Sequence, residues 1–420
     1  MGRTITPVSP SSIAGVASGV ALLMAASAWS TVVRAGAAGL VALAMACGDD
    51  GGGVAIDAAS SGDAGPMVTG LTATGTSWPA ADRLFHLEPR WLGSDAAYSI
   101  DLGGERALWL FGDTFVATSA ANVRTASRMV RNTIAVQRGR DPTTATMVFA
   151  WNHDASNAPS SFFPERGTGA DLRWHWPGGG ARLPDGSVIV FVAVERATPG
   201  QGLGFAGDGW RAVRIADPTV APAAWQLTWM EMPAQPFEAV VGSAVAIDGD
   251  HVLALAAGGG AHPMYLARFA VSALAAGDLA SIEWWNGVTW VAGATLTAAP
   301  PAVIASGATE GSLHRDPASG RWAWTLSRGF GGSKIALAST PAPTGPWSAP
   351  VDVFTPPESL GDRPFVYAAK AHPELDAGGQ LAVTYATNSF TFADLFTPAG
   401  QRDLYWPRFV RLAVQPVTAP

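Results

Sequence analysis

The sequence contains one cysteine among 420 residues, seven histidines and only 14 % charged residues. A single cysteine excludes an internal disulfide framework and any cysteine-based zinc site, and the histidines are too scattered to form a pair at metal-ligand spacing. No run of basic residues is longer than two and the formal net charge is −7, so nucleic acid is not an expected partner. The HExxH, GxxxxGK(S/T) and GxSxG motifs are also missing, which removes the zinc-protease, P-loop and serine-hydrolase signatures.

The only cysteine, Cys47, follows an uncharged run of small and apolar residues, 35–46. This pattern resembles a bacterial lipoprotein signal, whose cleavage leaves a lipidated N-terminal cysteine; a buried free cysteine is the alternative. The run is too short to span a bilayer, which takes about 20 residues, whereas an upstream run, 13–33, is long enough. We expect residues 1–46 to be a targeting segment, and the mature protein to be exported to the cell envelope and anchored to the membrane through its lipid.

The segment after the cysteine changes character near residue 80. Residues 47–79 are rich in Gly, Asp, Ser and Ala without a sustained apolar period, which predicts a disordered, flexible tether. From residue 80, short runs of β-branched and aromatic residues alternate with Gly, Pro and Asp turns. Five hairpins stand out, with turns at Gly103-Gly104, Asp185-Gly186, Gly249, near Ala318 and near Ala377-Gly378.

The spacing of these hairpins, about 60 to 80 residues, leaves room for one four-stranded sheet each. The sequence therefore predicts an all-β fold, a five-bladed β-propeller over residues 80–413 with a short tail at 414–420. A propeller closes its blades radially, so that the sheet edges stay short and protected. The alternative is a β-sandwich, which seldom contains five comparable hairpin units.

The first hairpin carries two aspartates. The segment "LWLFGDTF", residues 108–115, ends a strongly apolar strand in a carboxylate, Asp113. In a tight hairpin centred at residue 104, Tyr98 would face Leu110 and Asp95 would face Asp113. Like charges directly opposite each other destabilise a sheet and raise the pKa of one partner. The two aspartates are therefore a candidate site, although each could also cap a turn.

A family resemblance is carried by the segments "WLGSDAAYSIDL", "LWLFGDTFV", "MVRNTIAV", "GPWSAP", "FVYAAKAHPEL" and "VTYATNS". They resemble a family of bacterial secreted and fungal domains of unknown function, which is similar to five-bladed propeller glycoside hydrolases. Some relatives are endo-D-arabinanases that cut furanose polymers of mycobacterial cell walls. The resemblance covers residues 80–413, and it implies that Asp95 and Asp113 are the catalytic pair.

Glycoside hydrolysis needs two carboxyl groups, one that protonates the leaving oxygen and one that activates water or attacks the anomeric carbon. A rival acid is Glu310 in "ATEGSLHR", at the start of the fourth predicted blade. It resembles the acid-bearing "EGP"-type turn of arabinanases in glycoside hydrolase family 43, with Ser312 in place of the proline; a surface glutamate in a loop is the alternative. Direct pairing of Asp95 with Asp113 would favour the shorter, retaining separation, and Asp95 with Glu310 the longer, inverting one.

Other residues are candidate substrate ligands. Arg131 interrupts an apolar strand and needs an acidic partner, for which Asp95 or Asp113 is the nearest candidate. Such a contact would lower the pKa of that carboxyl and mark it as the base or nucleophile. Aromatic residues of "RWHWPGGG" could stack on sugar rings or could belong to the core. The remaining candidates are Asn132, Trp174, His175, Trp176, Lys370, His372 and Asn388.

These observations favour a cell-surface glycoside hydrolase that cleaves a polysaccharide, such as a furanose polymer of the arabinan type. The alternative is a non-catalytic carbohydrate-binding or adhesion propeller, because propellers host many functions. Retention of Asp95, Asp113 and Glu310 favours the enzyme over the binding protein. No cofactor is required, although carboxylates in the central funnel could bind Ca²⁺.

Overall fold

The computed structural model describes residues 67–200, 204–329 and 333–419. Its strands in chain order are β1 (Val68–Ser77), β2 (Trp91–Gly103), β3 (Arg106–Ala117), β4 (Ser127–Val130), β5 (Thr133–Arg138), β6 (Thr146–Ala150), β7 (Asn152–His153), β8 (Pro159–Ser160), β9 (Arg173–Arg182), β10 (Val188–Ala197), β11 (Phe205–Ile215), β12 (Leu227–Glu231), β13 (Ala239–Asp248), β14 (His251–Gly258), β15 (Met264–Ala270), β16 (Glu283–Trp285), β17 (Trp290–Ala292), β18 (Gly311–Arg315), β19 (Trp322–Arg328), β20 (Lys334–Thr340), β21 (Val351–Phe354), β22 (Pro364–His372), β23 (Leu381–Ser389) and β24 (Arg408–Thr418).

Helical segments in these ranges are short. The α-helices are α1 (Pro79–Asp82), α2 (Val271–Ala275) and α3 (Pro398–Asp403). Single 3₁₀ turns occur at Arg83–His86, Arg124–Ala126, Gly169–Asp171, Pro222–Ala224, Gly293–Thr295, Pro357–Leu360 and Phe392–Phe396. None of the helices in the described ranges is long and apolar enough to cross a bilayer. The predicted targeting segment 1–46, Cys47 and the first part of the predicted tether lie outside the described residues.

The strands form five antiparallel sheets, which we number by the chain order of their hairpins. Sheet 1 contains β2, β3, β5 and β6, with β4 paired to β3; sheet 2 contains β9 to β12; sheet 3 contains β13 to β17; sheet 4 contains β18 to β21; and sheet 5 contains β22, β23, β24 and β1. A separate two-stranded ribbon is formed by β7 and β8. The first two strands of every sheet are one of the five predicted hairpins, and the all-β prediction is confirmed.

The five sheets contact one another in a cycle. The first strands meet in the order β2 with β9, β9 with β13, β13 with β18, β18 with β22, and β22 with β2 again. Five clusters of buried apolar side chains fill the five spaces between consecutive sheets. Each sheet therefore has a core on both of its faces.

Burial on both faces explains the unbroken apolar run in β3. Leu108 and Leu110 pack toward sheet 2, whereas Trp109 and Phe111 pack toward sheet 5. A strand with two buried faces has a continuous apolar sequence instead of an alternating one. Burying such a side chain stabilises the fold by about 1.5–3 kcal/mol, so this run fixes the strand that carries Asp113 two residues later.

The two ends of the described chain are paired with each other. β1 runs antiparallel to β24, from Val68 opposite Thr418 to Ser77 opposite Val410. Residues 68–77, before the predicted boundary at residue 80, thus form a strand of sheet 5, and β24 continues past residue 413 into the predicted tail. The apolar pattern of β1 is weak, and Leu71 is its one buried residue. The strand is instead held in place by backbone hydrogen bonds to β24.

Candidate active site

The hairpin of β2 and β3 carries both predicted catalytic aspartates. Its register next to the turn is the predicted one, with Tyr98 opposite Leu110. Farther from the turn the register shifts, so Asp95 and Asp113 are not direct cross-strand partners, contrary to the prediction. The two alanines after Asp95 have φ of 66° and 62°, a left-handed conformation that is uncommon outside glycine and typical of a strained β-bulge. The bulge moves the two carboxyl groups out of direct opposition but keeps them at the same end of the hairpin.

Asp95 accepts two hydrogen bonds on the same oxygen. Its Oδ2 lies 2.9 Å from the hydroxyl of Tyr367 and 3.3 Å from the hydroxyl of Tyr405. Burial, followed by the negative charges of Asp113 and Glu310, raises the pKa of Asp95 to about 8. At neutral pH Asp95 therefore carries a proton that it can donate.

Asp113 is held by one donor on each carboxylate oxygen. The indole Nε1 of Trp176 donates to Oδ1 at 2.9 Å, and the guanidinium of Arg131 donates to Oδ2 at 3.3 Å. Burial raises the pKa of Asp113, while the charge of Arg131 and both hydrogen bonds oppose that rise. The guanidinium is itself held above the ring of Trp174, 4.4 Å from its centroid. Asp113 is thus the carboxyl group of the pair whose anion has dedicated partners.

Glu310, the predicted rival acid, is the counter-ion of a buried lysine. Its Oε2 lies 2.6 Å from Nζ of Lys370, whose side chain is 1 % exposed. Nζ also donates to the carbonyls of Ala96 at 2.8 Å and Ala368 at 2.9 Å, so all three of its N–H groups are used. Burial lowers the pKa of Lys370, and the Glu310 carboxylate opposes that change. Glu310 therefore neutralises a buried charge, and the Lys370 bond to Ala96 supports the bulge that aims Asp95.

A further carboxyl, Glu195 in β10, was missed by the sequence analysis. Glu195 is 8 % exposed and lies opposite Trp174 of β9. Burial, followed by the charges of Asp113 and Asp208, raises its pKa to about 7. The signal available in the sequence is its position at the end of the apolar run "VIVFVAVE", where a charged residue is out of place.

Three other residues of the site were also missed, and they differ in how visible they are in the sequence. Tyr367 lies in the quoted segment "FVYAAKAHPEL", three residues before Lys370. Tyr405 belongs to no quoted segment and reaches Asp95 across 310 positions of sequence. Gly112 lies against Asp95: a Cβ added there would be 2.3 Å from Asp95 Oδ1.

Three predicted substrate ligands lie in the core instead. The amide of Asn132 accepts from the backbone N–H of Phe163 at 2.7 Å and donates to the carbonyl of His175 at 2.9 Å. The other two residues, His175 and His372, are also buried. The ring nitrogens of His175 contact a loop carbonyl and Arg211, and those of His372 contact two hydroxyl groups. Burial lowers the pKa of His175 to about 4 and of His372 to about 3. These side chains are buried and hold the scaffold through their hydrogen bonds.

The other predicted ligands lie at the site. Asn388 hydrogen-bonds the hydroxyl of Tyr367 and so acts on Asp95 through it. Trp174 is buried beneath Arg131. Trp176 is only half-buried, and its ring packs edge-on against Phe205 with centroids 4.8 Å apart.

No metal site accompanies these carboxyls in the part of the chain that the structure describes, since no three His, Cys, Asp or Glu side chains there come close enough to share an ion.

A cavity of about 480 Å³ lies beside sheet 2, and neither Asp95 nor Asp113 lines it. Its charged walls are paired with each other, Arg173 with Asp208 and Arg211 with Glu231.

Comparisons with known proteins found one family model and several solved structures of low sequence identity. A family model described as a domain of unknown function (DUF5005) matches residues 80–414, and no curated protein sequence matches the chain. A hydrolase candidate from Bacteroides ovatus has 17 % identity and a TM-score of 0.63, over 82 % of this chain and 94 % of that one. The catalytic domain of the Coprinopsis cinerea GH62 α-L-arabinofuranosidase has 11 % identity and a TM-score of 0.44, over 83 % and 98 %. A GH43 enzyme from Xanthomonas citri has 13 % identity and a TM-score of 0.40, over 81 % and 91 %.

Proposed function

The chain belongs to the DUF5005 family of domains of unknown function, and from its site geometry we propose that it is a glycoside hydrolase. Asp95 and Asp113 would be the two carboxyl groups that cleave its polysaccharide substrate. The proposal is carried by the unequal surroundings of two neighbouring carboxyl groups. Burial and neighbouring negative charge keep Asp95 protonated near neutral pH, whereas Arg131 and Trp176 hold the anion of Asp113. Glycoside hydrolysis requires one such acid and one base or nucleophile.

The cycle of five sheets supports the five-bladed propeller as the scaffold of this site. Each sheet would be one blade, and β1 would close the fifth blade by pairing with β24. Asp95, Trp176 and Tyr367 all lie on first strands, and Glu310 directly precedes another. In a propeller those strands surround the central axis, so the acid and its partners would meet where a substrate can enter.

The proposed reaction needs only these carboxyl groups and one water molecule. Asp95 gives its proton to the glycosidic oxygen as the bond from that oxygen to the anomeric carbon breaks. In a single displacement, water forms the new bond to that carbon and gives a proton to Asp113. In a double displacement, Asp113 forms the bond first, and water later replaces it while Asp95 takes the proton of the water. Proton NMR of the first-formed anomer distinguishes the two routes.

Aromatic side chains support a carbohydrate as the substrate class. Trp176, which donates to Asp113, packs against Phe205, and both rings are only partly buried. Aromatic rings pack well against flat apolar surfaces such as the faces of sugar rings. A furanose polymer of the arabinan type is the first substrate to test, because the sequence resembles a family with arabinan-cleaving relatives.

A screen of the full-length protein against D-arabinan, L-arabinan, galactan, xylan and fructan, with products separated by size, tests the proposal. Asp95→Asn and Asp113→Asn should each lower the rate by about 10²–10⁴-fold, the usual contribution of general acid–base catalysis. Asp101→Asn is the matched control, because Asp101 lies on the same hairpin but is exposed and pairs with Arg140. Wild-type protein that binds a glycan without cleaving it would instead establish the carbohydrate-binding alternative. Asn variants that stay active within a few-fold would refute the role of this pair.

We also propose that the domain is tethered to the cell envelope through lipidated Cys47. The support is the signal-like run that precedes this residue. Growth with a labelled fatty acid should label the wild type and leave Cys47→Ser unlabelled and released from membranes. Labelling of the Cys47→Ser protein would contradict the assignment.

A further inference from the structure

The space beside Gly112 in β3 is occupied by the carboxyl group of Asp95. An ideal Cβ on this residue would lie 2.3 Å from Asp95 Oδ1, 3.5 Å from Asp95 Cγ and 3.7 Å from the Cβ of Ala96. The first distance is far inside van der Waals contact, so no larger side chain fits while Asp95 keeps its position. The carboxyl group of Asp95 thus occupies the space that a side chain at 112 would fill.

Backbone conformation does not explain this glycine. Gly112 is not among the residues with positive φ, whereas Gly93 and Gly103 in the same hairpin are. Any amino acid could adopt its backbone angles, and glycine lowers strand stability by roughly 0.5–1 kcal/mol relative to alanine. The need for glycine at 112 therefore comes from the neighbouring carboxyl group.

Hydrogen-bond directions identify which oxygen of Asp95 holds the proton. Oδ2 faces the hydroxyls of Tyr367 and Tyr405 at 2.9 and 3.3 Å. The Asn388 carbonyl oxygen accepts from the Ser389 N–H at 2.8 Å, which leaves its NH₂ to donate to the Tyr367 hydroxyl. The Tyr367 hydroxyl in turn donates to Asp95 Oδ2, as does the Tyr405 hydroxyl, so Oδ2 acts as an acceptor. The proton of the neutral carboxyl is left on Oδ1, the oxygen that lies against Gly112.

We propose that Gly112 is a positioning residue of the site: its missing side chain provides the space in which Asp95 Oδ1 holds the proton that is delivered to the substrate. The proposal rests on the proposed glycoside hydrolysis for the fate of that proton, but the placement of the carboxyl does not depend on it. The charged groups that act on Asp95 are Asp113, Glu310 and Lys370, and none of them blocks the space beside Gly112. An alanine at 112 would displace Oδ1 from this space and so disturb the contacts of the carboxyl with Tyr367 and Tyr405.

Gly112→Ala in the full-length protein is the direct test. We expect kcat/KM on the glycan that the wild type cleaves to fall at least about 10²-fold, as expected when a general acid is misplaced. In spectra of protein with ¹³C-labelled aspartate carboxyls, the Asp95 signal should titrate at a different pH from that of the wild type. The control is Gly70→Ala in β1, where an added Cβ meets only Val417 at 3.9 Å; its activity and titration should equal those of the wild type. Unchanged titration and activity in Gly112→Ala would overturn the proposal, as would loss of activity without a change in the titration.

A double variant covers the case in which Gly112→Ala folds poorly. Asp95→Ala removes the carboxyl that would clash, so Gly112→Ala should destabilise the Asp95→Ala protein much less than the wild type. Equal loss of stability in both backgrounds would show that the clash with Asp95 is not the reason for this glycine, and would overturn the proposal. If no glycan is cleaved by the wild type, the titration and the double variant still decide the role of Gly112, whereas the proposed function alone fails.

Discussion

Replacement of Trp176 by phenylalanine separates the two roles that its indole ring has in the site. The ring packs against Phe205, and its Nε1 donates to Asp113 Oδ1 at 2.9 Å. Phenylalanine keeps an aromatic surface but removes the donor. Because the donor stabilises the ionised carboxyl, its loss should raise the pKa of Asp113, while the Arg131 contact to the other oxygen remains.

The magnitude follows from the strength of a hydrogen bond to a charged group, about 1.5–3 kcal/mol. One pKa unit corresponds to about 1.4 kcal/mol, so the pKa of Asp113 should rise by about one to two. The Asp113 side chain is 18 % exposed, and water can replace part of the lost bond, which favours the lower end of this range. If Asp113 must be ionised for the reaction, kcat/KM at pH values below its pKa should fall by about 10-fold or more.

The assay is the pH profile of kcat/KM, which should be bell-shaped because an ionised Asp113 and a protonated Asp95 are both required. Trp176→Phe should move the low-pH limb upward and leave the plateau nearly unchanged. Trp324→Phe is the matched control, since the Nε1 of Trp324 is buried without a hydrogen-bond partner among the described residues and this ring lies in the core between sheets 3 and 4. A low-pH limb that does not move in Trp176→Phe, or that moves equally in both variants, would refute the assignment of Asp113 as the base.

Three further variants test the surroundings of the site. Tyr367→Phe removes a donor that favours ionised Asp95, so the high-pH limb of the same profile should move upward from about 8; a downward movement would contradict the assigned acid. Lys370→Met leaves Glu310 without its buried partner and should cost about 3–5 kcal/mol in urea unfolding, and a cost below about 1 kcal/mol would contradict this account. Burial raises the pKa of Asp82 from 3.8 to about 6, so the native state binds more protons than the unfolded state between these values. Stability should therefore fall by about 2 kcal/mol as the pH rises from 4 to 7, and Asp82→Asn should remove this part of the slope.

The sequence predicted the hairpins well because the information for each is local. A turn such as Gly103-Gly104 lies between two apolar runs, and the register next to the turn follows from turn geometry. The same reasoning missed β1, whose partner β24 lies at the other end of the chain: Leu71 is opposite Pro416. Apolar periodicity reports the burial of side chains and contains no information on a strand that is ordered by its backbone partner.

The distinction between the two aspartates is set by residues that no local pattern connects. Asp113 takes its anion partners from Arg131 and Trp176, which are 18 and 63 positions away, and Asp95 takes its hydroxyl partners from Tyr367 and Tyr405, 272 and 310 positions away. Sheet 1 lies between sheets 2 and 5 in the cycle. Asp113 therefore meets Trp176 of sheet 2 as well as Arg131 from the β4–β5 connection of its own sheet, and Asp95 meets donors from sheet 5 and the chain leading into β24. The two aspartates begin as chemically identical groups on one hairpin. The closure of the cycle, which brings the last sheet against the first, places Asp95 among neutral hydroxyls, whereas Asp113 receives a cation from within sheet 1, and the proposed division into acid and base depends on both.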